Sequence, residues 1–286
     1  MNKIIVNFTP TGLIPQKSQT PHVPIHCNEI IGEVEDAYRL GISMVHLHIR
    51  DPQTEQPSYK KELYAKIIEG IRSSTPELII CVSTSGRLFI DYEQRAQVLS
   101  LEDTLKPDMA SLTLSSLNFN HHGTINEPAT IIRLAKEMLD RGIKPELEIF
   151  DTGMVNYANY LIKKEILKPP YYFNIILGNI ACAQPDLIHI GSIIKDLPPS
   201  SFFSLGGVGR FQLQTNSLAI SMGYGVRVGL EDNIWFDQER SKLATNIQLI
   251  KRVRDIVDAN EKEFMAPSEL RTHLKLKKGY GEYGAE

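Results

Sequence analysis

Two hydrophobic periods alternate along this chain. Short apolar runs, many of them rich in Ile and Val, read as buried strands at residues 3–7, 44–49, 78–83, 109–114, 146–150, 172–177, 202–205 and 225–229. Between them apolar residues recur every three to four positions, as Leu63, Ile67, Ile68 and Ile71 do. That spacing predicts helices at residues 28–40, 59–74, 92–100, 128–141, 152–164, 185–195, 211–222 and within 238–258. Boundary residues agree: Asn28 can cap the first helix, Gly41 follows it, Pro128 stands early in the fourth with Gly142 beyond its end, and Gly223 follows the seventh. Strict strand–helix alternation implies a parallel α/β sheet. Eight units over about 250 residues favour a closed (β/α)8 TIM barrel over an open doubly wound sheet. No GxGxxG directly follows a strand, which counts against a Rossmann-like sheet. The expected organisation is a single barrel domain over residues 1–260, then a C-terminal extension over 261–286 made of a helix at 267–274 and a mobile end.

Composition narrows the function classes. With 286 residues, 42% of them hydrophobic and 23% charged, the chain can bury a large core. A net charge of −3 and a pI near 6.3 give no basic footprint for nucleic acid. No apolar run approaches the ~20 residues that span a bilayer. Met1-Asn2-Lys3 leads straight into a short apolar strand, without the longer apolar segment and small-residue cleavage site of a signal peptide. Cys27, Cys81 and Cys182 are far apart and odd in number, so a reducing cytoplasm is expected. These totals point to a cytoplasmic enzyme acting on small molecules, with neither nucleic acid nor membrane as partner.

In a barrel of this type the chemistry lies at the C-terminal strand ends. His46 and His48 are two apart on the second strand and face the same way. Two imidazoles fixed on one face suit a divalent metal, although a pair of core histidines is the plainer reading of HxH alone. Two His and one carboxylate make a common catalytic zinc site, and Glu231, after the eighth strand, is the candidate third ligand. Asp51 is a rival, but Arg50-Asp51-Pro52 reads more easily as a turn whose two charges partly satisfy each other. Asp232 would point differently from Glu231 and is a candidate base. Glu146 and Glu148 share a face of the fifth strand. Glu148 inside a barrel needs a partner, and Arg227 is the obvious cation, as a structural ion pair or as part of a site. Ser83, Thr84 and Ser85 close the third strand, and Ser111 and Thr113 lie on the fourth. These hydroxyls, with Gly207 and Arg210 of the Gly206-Gly207-Val208-Gly209-Arg210 loop, are the candidate substrate contacts. That loop opens a helix, where backbone N–H groups can meet an anion such as a phosphate of a CoA ester; a plain tight turn fits it equally well. The remaining histidines, His22, His26, His121, His122, His189 and His273, do not fall at inner strand ends.

The segments VHLHIRD (residues 45–51), VSTSG (82–86), PELEIFDTGM (145–154), GGVGR (206–210) and VRVGLEDN (226–233) together resemble the β-keto acid cleavage enzymes, the family of the 3-keto-5-aminohexanoate cleavage enzyme. The resemblance extends over about residues 3–258. It implies a (β/α)8 barrel, bound Zn²⁺, a homo-oligomer (dimer or tetramer) and acetyl-CoA as co-substrate. It further implies condensation of a β-keto acid with acetyl-CoA, followed by retro-Claisen cleavage to acetoacetate and an acyl-CoA. Position by position, His46, His48 and Glu231 match the zinc ligands. Ser83, Arg227 and Asp232 match residues around the keto acid, with Asp232 moving protons through Arg227, and Glu148 matches a further active-site carboxylate. Ser111 stands where the family has Thr. This chemistry suits a metal acting as Lewis acid beside a carboxylate base and needs no covalent nucleophile. In place of the Glu that contacts an amino group in the family's best-known member, this chain has Ile14. Ser85 replaces a Gly, and residues 178–184 replace a glycine-rich loop. The expected substrate is therefore a β-keto acid with a less polar side chain than the 5-amino compound. Another metal-dependent barrel lyase, aldolase or hydrolase is the competing reading. In such hydrolases HxH normally ends the first strand, with an Asp after the eighth. A barrel that only binds is the third.

Overall fold

The computed structural model describes residues 2–120 and 122–286. Eight parallel strands close into a barrel. They are β1 (Val6–Phe8), β2 (Met44–Leu47), β3 (Ile79–Val82), β4 (Met109–Thr113), β5 (Lys144–Ile149), β6 (Tyr171–Leu177), β7 (Ser201–Gly207) and β8 (Gly225–Val228). The helices are α1 (Cys27–Arg39), α2 (Lys61–Ser74), α3 (Tyr92–Ala96), α4 (Pro128–Asp140), α5 (Thr152–Lys163), α6 (Leu187–Asp196), α7 (Gln212–Met222), α8 (Asn246–Ala259) and α9 (Pro267–Leu274). Each barrel strand is followed by one of the first eight helices, as the alternation of periods predicts.

The period of two along each strand sorts the interior into levels. Val45, Leu47, Ile80, Val82, Ala110 and Leu112 point outward and pack against the helices. Met44, Ile79 and Met109 point inward and form an apolar floor with Tyr172, Leu270 and Leu274. One step up comes a belt of His46, Cys81 and Glu146, joined by Glu146 Oε2, which lies 2.6 Å from His46 Nδ1 and 3.3 Å from the Cys81 thiol. Above that belt His48, Ser83, Thr113, Glu148 and Arg227 face the open end. The interior thus runs from apolar at the floor to polar at the mouth.

Two features depart from the expected elements, the first strand and the chain end, and a third, the eighth helix, gains a defined start. The first strand divides: Lys3–Ile4 pairs with Glu263–Phe264, and only Val6–Phe8 enters the barrel. The eighth helix begins at Asn246, because Thr245 and Gln248 form a capping box there. The end of the chain is packed. Arg271 is fully enclosed beneath the floor, donating to both carboxylate oxygens of Asp108 at 2.9 Å, and Gly284 N–H also reaches Asp108 at 3.2 Å. Tyr283 is buried under the guanidinium of Arg72. Three carbonyls, of Glu77, Leu78 and Lys277, complete the Arg271 donors. These contacts hold residues 275–286 across the barrel bottom.

Among the described residues, no helix is long and apolar enough to cross a membrane.

Candidate functional site

The open end of the barrel holds a cavity of about 600 Å³. His48 lines it, and His46 lies behind His48 with the two Nε2 atoms 3.2 Å apart. Glu231 Oε1 is 3.2 Å from His48 Nε2. One nitrogen of each histidine and one oxygen of Glu231 all lie within 4.8 Å of one another. Three further observations fit this triad to a metal. His46 Nδ1 is 2.6 Å from Glu146 Oε2, which holds one ring proton there and turns Nε2 toward the group, so that a metal displacing the second proton would meet a lone pair. Two imidazole nitrogens confront each other, an arrangement with no good hydrogen-bond solution when both are unprotonated. Glu231 Oε2 is buried without a hydrogen-bond partner. His46, Cys81 and Glu146 also lie close together. There, however, burial raises the Cys81 thiol far above its ordinary value, so its S–H is a donor, and Glu146 is 3.3 Å away to accept it. That group supports His46 from below.

The loops explain how Glu231 reaches the triad. Gly12 has φ +65°, and a Cβ on it would lie 2.5 Å from the Glu231 side chain, so only glycine lets the loop after β1 pass over that carboxylate. Arg50 holds the same loop from below, donating to the carbonyls of Gly12 at 3.0 Å and Pro15 at 2.8 Å. Arg50 therefore does not pair with Asp51, which accepts instead from the N–H groups of Gln53 and Thr54 within its own turn. The loop carries Leu13 and Ile14 to the cavity wall, and Ile14 is 45% exposed there.

Arg227 adjoins the triad through Glu231. Its Nε donates to Asp232 Oδ2 at 2.8 Å and its Nη2 lies 2.7 Å from Glu231 Oε1. Burial works against its charge, but Asp232 and Glu231 hold its pKa well above the ordinary arginine value. Burial raises the Asp232 carboxyl, and Arg227 only partly offsets the rise. Burial would lower His46, yet Glu146 and Glu231 carry it up to about 9; His48, lacking the Glu146 contact, is lowered by burial. Glu148 does not pair directly with Arg227. It accepts from Thr113 Oγ1 at 2.7 Å, and burial, reinforced by Glu146, raises its pKa.

The remaining sequence-predicted residues divide. Ser83, Ser85 and Thr113 line the cavity. Thr84 and Ser111 turn to each other, Thr84 Oγ1 donating to the Ser111 carbonyl at 2.6 Å and Thr84 N–H to Ser111 Oγ at 3.2 Å. Gly207 packs against α7, where a Cβ would meet the Phe211 carbonyl at 2.4 Å. The loop amides are engaged inside the fold: Val208 N–H donates to Leu177 and Gly209 N–H to Asp232, at 2.9 and 2.7 Å. Arg210 is exposed, with its guanidinium near the Phe211 ring. His121 lies outside the described residues, as does Met1.

Sequence reasoning gave no role to Glu146, although its spacing from Glu148 signalled it. Its Oε1 accepts from Asn7 at 2.7 Å and Asn174 at 3.3 Å, so the carboxylate beneath His46 is held on every side. Burial opposes the charge of Glu146, but His46 and Arg227 keep its pKa below the ordinary range. Arg87, Phe119, Trp235 and Arg240 also line the cavity. Phe119 comes from a small hairpin, Leu117–Asn118 with Gly123–Thr124, which no apolar period announces.

A family model described as beta-keto acid cleavage enzyme matches residues 3–276. The chain is 36% identical over 281 residues to the 3-keto-5-aminohexanoate cleavage enzyme of Fusobacterium nucleatum subsp. nucleatum, covering 97% of this chain and 100% of that protein. It is 32% identical over 276 residues to the 3-oxoadipate:acetyl-CoA acetyltransferase of Cupriavidus necator, covering 95% and 94% respectively. A solved binary complex of ObcA with oxaloacetate has the same fold, with a TM-score of 0.80 at 20% identity, over 90% of this chain and 68% of that one.

Proposed function

This chain belongs to the β-keto acid cleavage enzyme family, and on that premise we propose that it is a zinc-dependent transferase that exchanges the acyl groups of a β-keto acid and acetyl-CoA, giving acetoacetate and a new acyl-CoA. One observation carries this reading: a two-histidine, one-carboxylate triad and an Arg227–Asp232 pair meet at one cavity, which His48, Glu231, Arg227 and Asp232 line with His46 just behind His48. His46, His48 and Glu231 would hold the zinc. When bound, the metal supplies a Lewis acid that stabilises negative charge developing on the ketone oxygen.

The chain's own groups then account for the proton and carbon steps. Asp232 takes a proton from the methylene between ketone and carboxylate. The resulting carbanion attacks the carbonyl carbon of acetyl-CoA and expels the CoA thiolate. That thiolate adds to the original ketone carbon, and the bond from this carbon to the former methylene breaks. The side chain leaves as an acyl-CoA, and Asp232 returns its proton to the remaining carbanion to give acetoacetate. Arg227 fixes Asp232 in place throughout through two donors on one guanidinium. Ser83 and Thr113 offer hydroxyls to the keto acid, and Thr113 also holds Glu148. Ile14 offers no counter-charge to an amino group, so the 5-amino compound is not the substrate.

The test is incubation of zinc-loaded protein with acetyl-CoA and a panel of β-keto acids, with mass spectrometry for acetoacetate and the matching acyl-CoA. Formation of both from at least one acid is expected. Their absence across the panel would overturn the reading.

A further inference from the structure

The reaction proposed above leaves two arginines of the cavity, Arg87 and Arg240, without a role, and Arg87 is the more enclosed. Arg87 follows β3 by five residues and lines the cavity. Its backbone N–H donates to Ser85 Oγ at 3.2 Å, which anchors the turn. Its guanidinium lies over the Phe119 ring, 3.7 Å from the centroid. Its Nε is buried and has no hydrogen-bond partner.

The other buried arginines near the barrel each donate to acceptors within the fold, although Arg227 Nη1 and Arg95 Nη1 are also without a partner. Arg227 holds Glu231 and Asp232, Arg50 holds the Gly12 and Pro15 carbonyls, and Arg95 holds the Thr84 carbonyl and the Asn126 side chain. Among the described residues no carboxylate pairs with Arg87. A partly enclosed guanidinium without an acceptor is costly, and the cost falls when a ligand supplies one. Stacking on Phe119 fixes the guanidinium plane and leaves its edge for in-plane donors, the geometry that binds a carboxylate through two hydrogen bonds.

Three anions could come to Arg87: the reacting carboxylate of the keto acid, a phosphate of CoA, or a second carboxylate on the substrate. The reacting carboxylate belongs at the triad and Arg227. A CoA phosphate is solvated and has an exposed cation at the mouth, Arg240, close to Gly209 at the start of the α7 turn. Arg87 is half-buried and stacks on Phe119, and Leu117, Ile14 and Leu13 add apolar surface to the same cavity. The lining carboxylates, Glu148, Glu231 and Asp232, all cluster around Arg227 and the triad. The outer wall therefore carries positive charge only.

We propose that Arg87 receives a second carboxylate at the far end of the keto acid's side chain, so that this enzyme's substrates are β-keto dicarboxylic acids with an apolar linker. The assignment rests on the reaction proposed above and refines its substrate: only the linker beside Ile14, not the end of the side chain, is the less polar part. Ile14 accommodates the linker, and Arg87 binds its end.

The experiment compares β-keto acids of equal chain length ending in a carboxylate, a neutral amide or an ammonium group, using zinc-loaded full-length protein and acetyl-CoA. The carboxylate is expected to win over the amide by about 10–100-fold in kcat/KM, the worth of one charge-assisted contact. Arg87→Met is expected to remove most of that preference through the KM of the keto acid. The KM of acetyl-CoA and turnover of the amide should stay within about twofold, and Arg87→Lys should keep part of the preference. Wild-type preference for the amide or ammonium acid would overturn the assignment while leaving the reaction standing. A rise in the acetyl-CoA KM of Arg87→Met, with the acid preference intact, would overturn it in favour of a phosphate contact. The absence of acetoacetate from every acid would remove the reaction itself, and the assignment with it.

Discussion

Arg227 grips Asp232 with two donors, Nε to Oδ2 at 2.8 Å and Nη2 to Oδ1 at 3.3 Å, and the same Nη2 lies 2.7 Å from Glu231 Oε1. One guanidinium thus ties the proposed base to a proposed metal ligand. Asp232 itself does not belong to the triad. Asp232→Asn should therefore keep zinc at the wild-type level while turnover falls by about 10²–10⁴-fold, the usual contribution of a positioned base. Metal content by mass spectrometry and acetoacetate formation measured on one preparation check both halves. Unchanged turnover would remove Asp232 from the mechanism.

Much of this site was legible because a strand's period of two is rigid. HxH and ExE each announced an inward pair before any coordinates, and the glycine stops and alternating periods announced eight units. What escaped lies where the chain leaves those periods. Arg87 and the hairpin under Phe119 sit in loops, where sequence spacing does not set direction. The glycine-rich stretch misled for the same reason: Gly207 is small because the Phe211 backbone comes within van der Waals reach, a tertiary fact invisible in the local pattern. The tail looked frayed because its residues are polar, yet Arg271 and Tyr283 find their partners at Asp108 and Arg72, far away in sequence.

The contact between His46 Nδ1 and Glu146 Oε2, at 2.6 Å, fixes the tautomer that turns Nε2 toward the triad. Glu146→Gln leaves a ligand set of unchanged identity but can present an N–H to the ring. Zinc affinity should fall by about 10–100-fold, as for loss of a carboxylate behind a metal-binding histidine. His46→Ala should lose the ion outright. Competition with a chelator orders the three proteins. Wild-type retention by His46→Ala would dismiss this ligand set.

Beneath the floor, Asp108 is fully buried and accepts from Arg271, Gly284 N–H and Ile80 N–H. Arg271→Met leaves that carboxylate with its two N–H donors and with Arg72, at 3.5 Å, as its remaining cation. Breaking a buried pair from one side costs about 3–5 kcal/mol, so the denaturation midpoint should drop markedly. Turnover at low temperature should survive, because this cluster lies at the opposite end of the barrel from the cavity. A midpoint within error of wild type would show that the tail does not secure the floor.

Lys144 offers a check on folding electrostatics away from the active site. Its ammonium is buried at the start of β5 and donates to the Pro170 carbonyl at 3.1 Å. Burial, with some repulsion from Lys275, lowers its pKa from 10.5 to about 8. The unfolded chain therefore binds a proton that the folded chain has released over the interval from about 8 to 10.5. Stability contributed by this group is fully present above that interval and is lost as pH falls through it. Lys144→Met removes the titration. Its stability relative to wild type should be greatest below about pH 8 and decline steadily toward pH 10.5. Taking the difference between the two proteins cancels the tyrosines and cysteines that titrate in the same range. A difference that stayed constant across the interval would show that Lys144 keeps its proton in the folded protein.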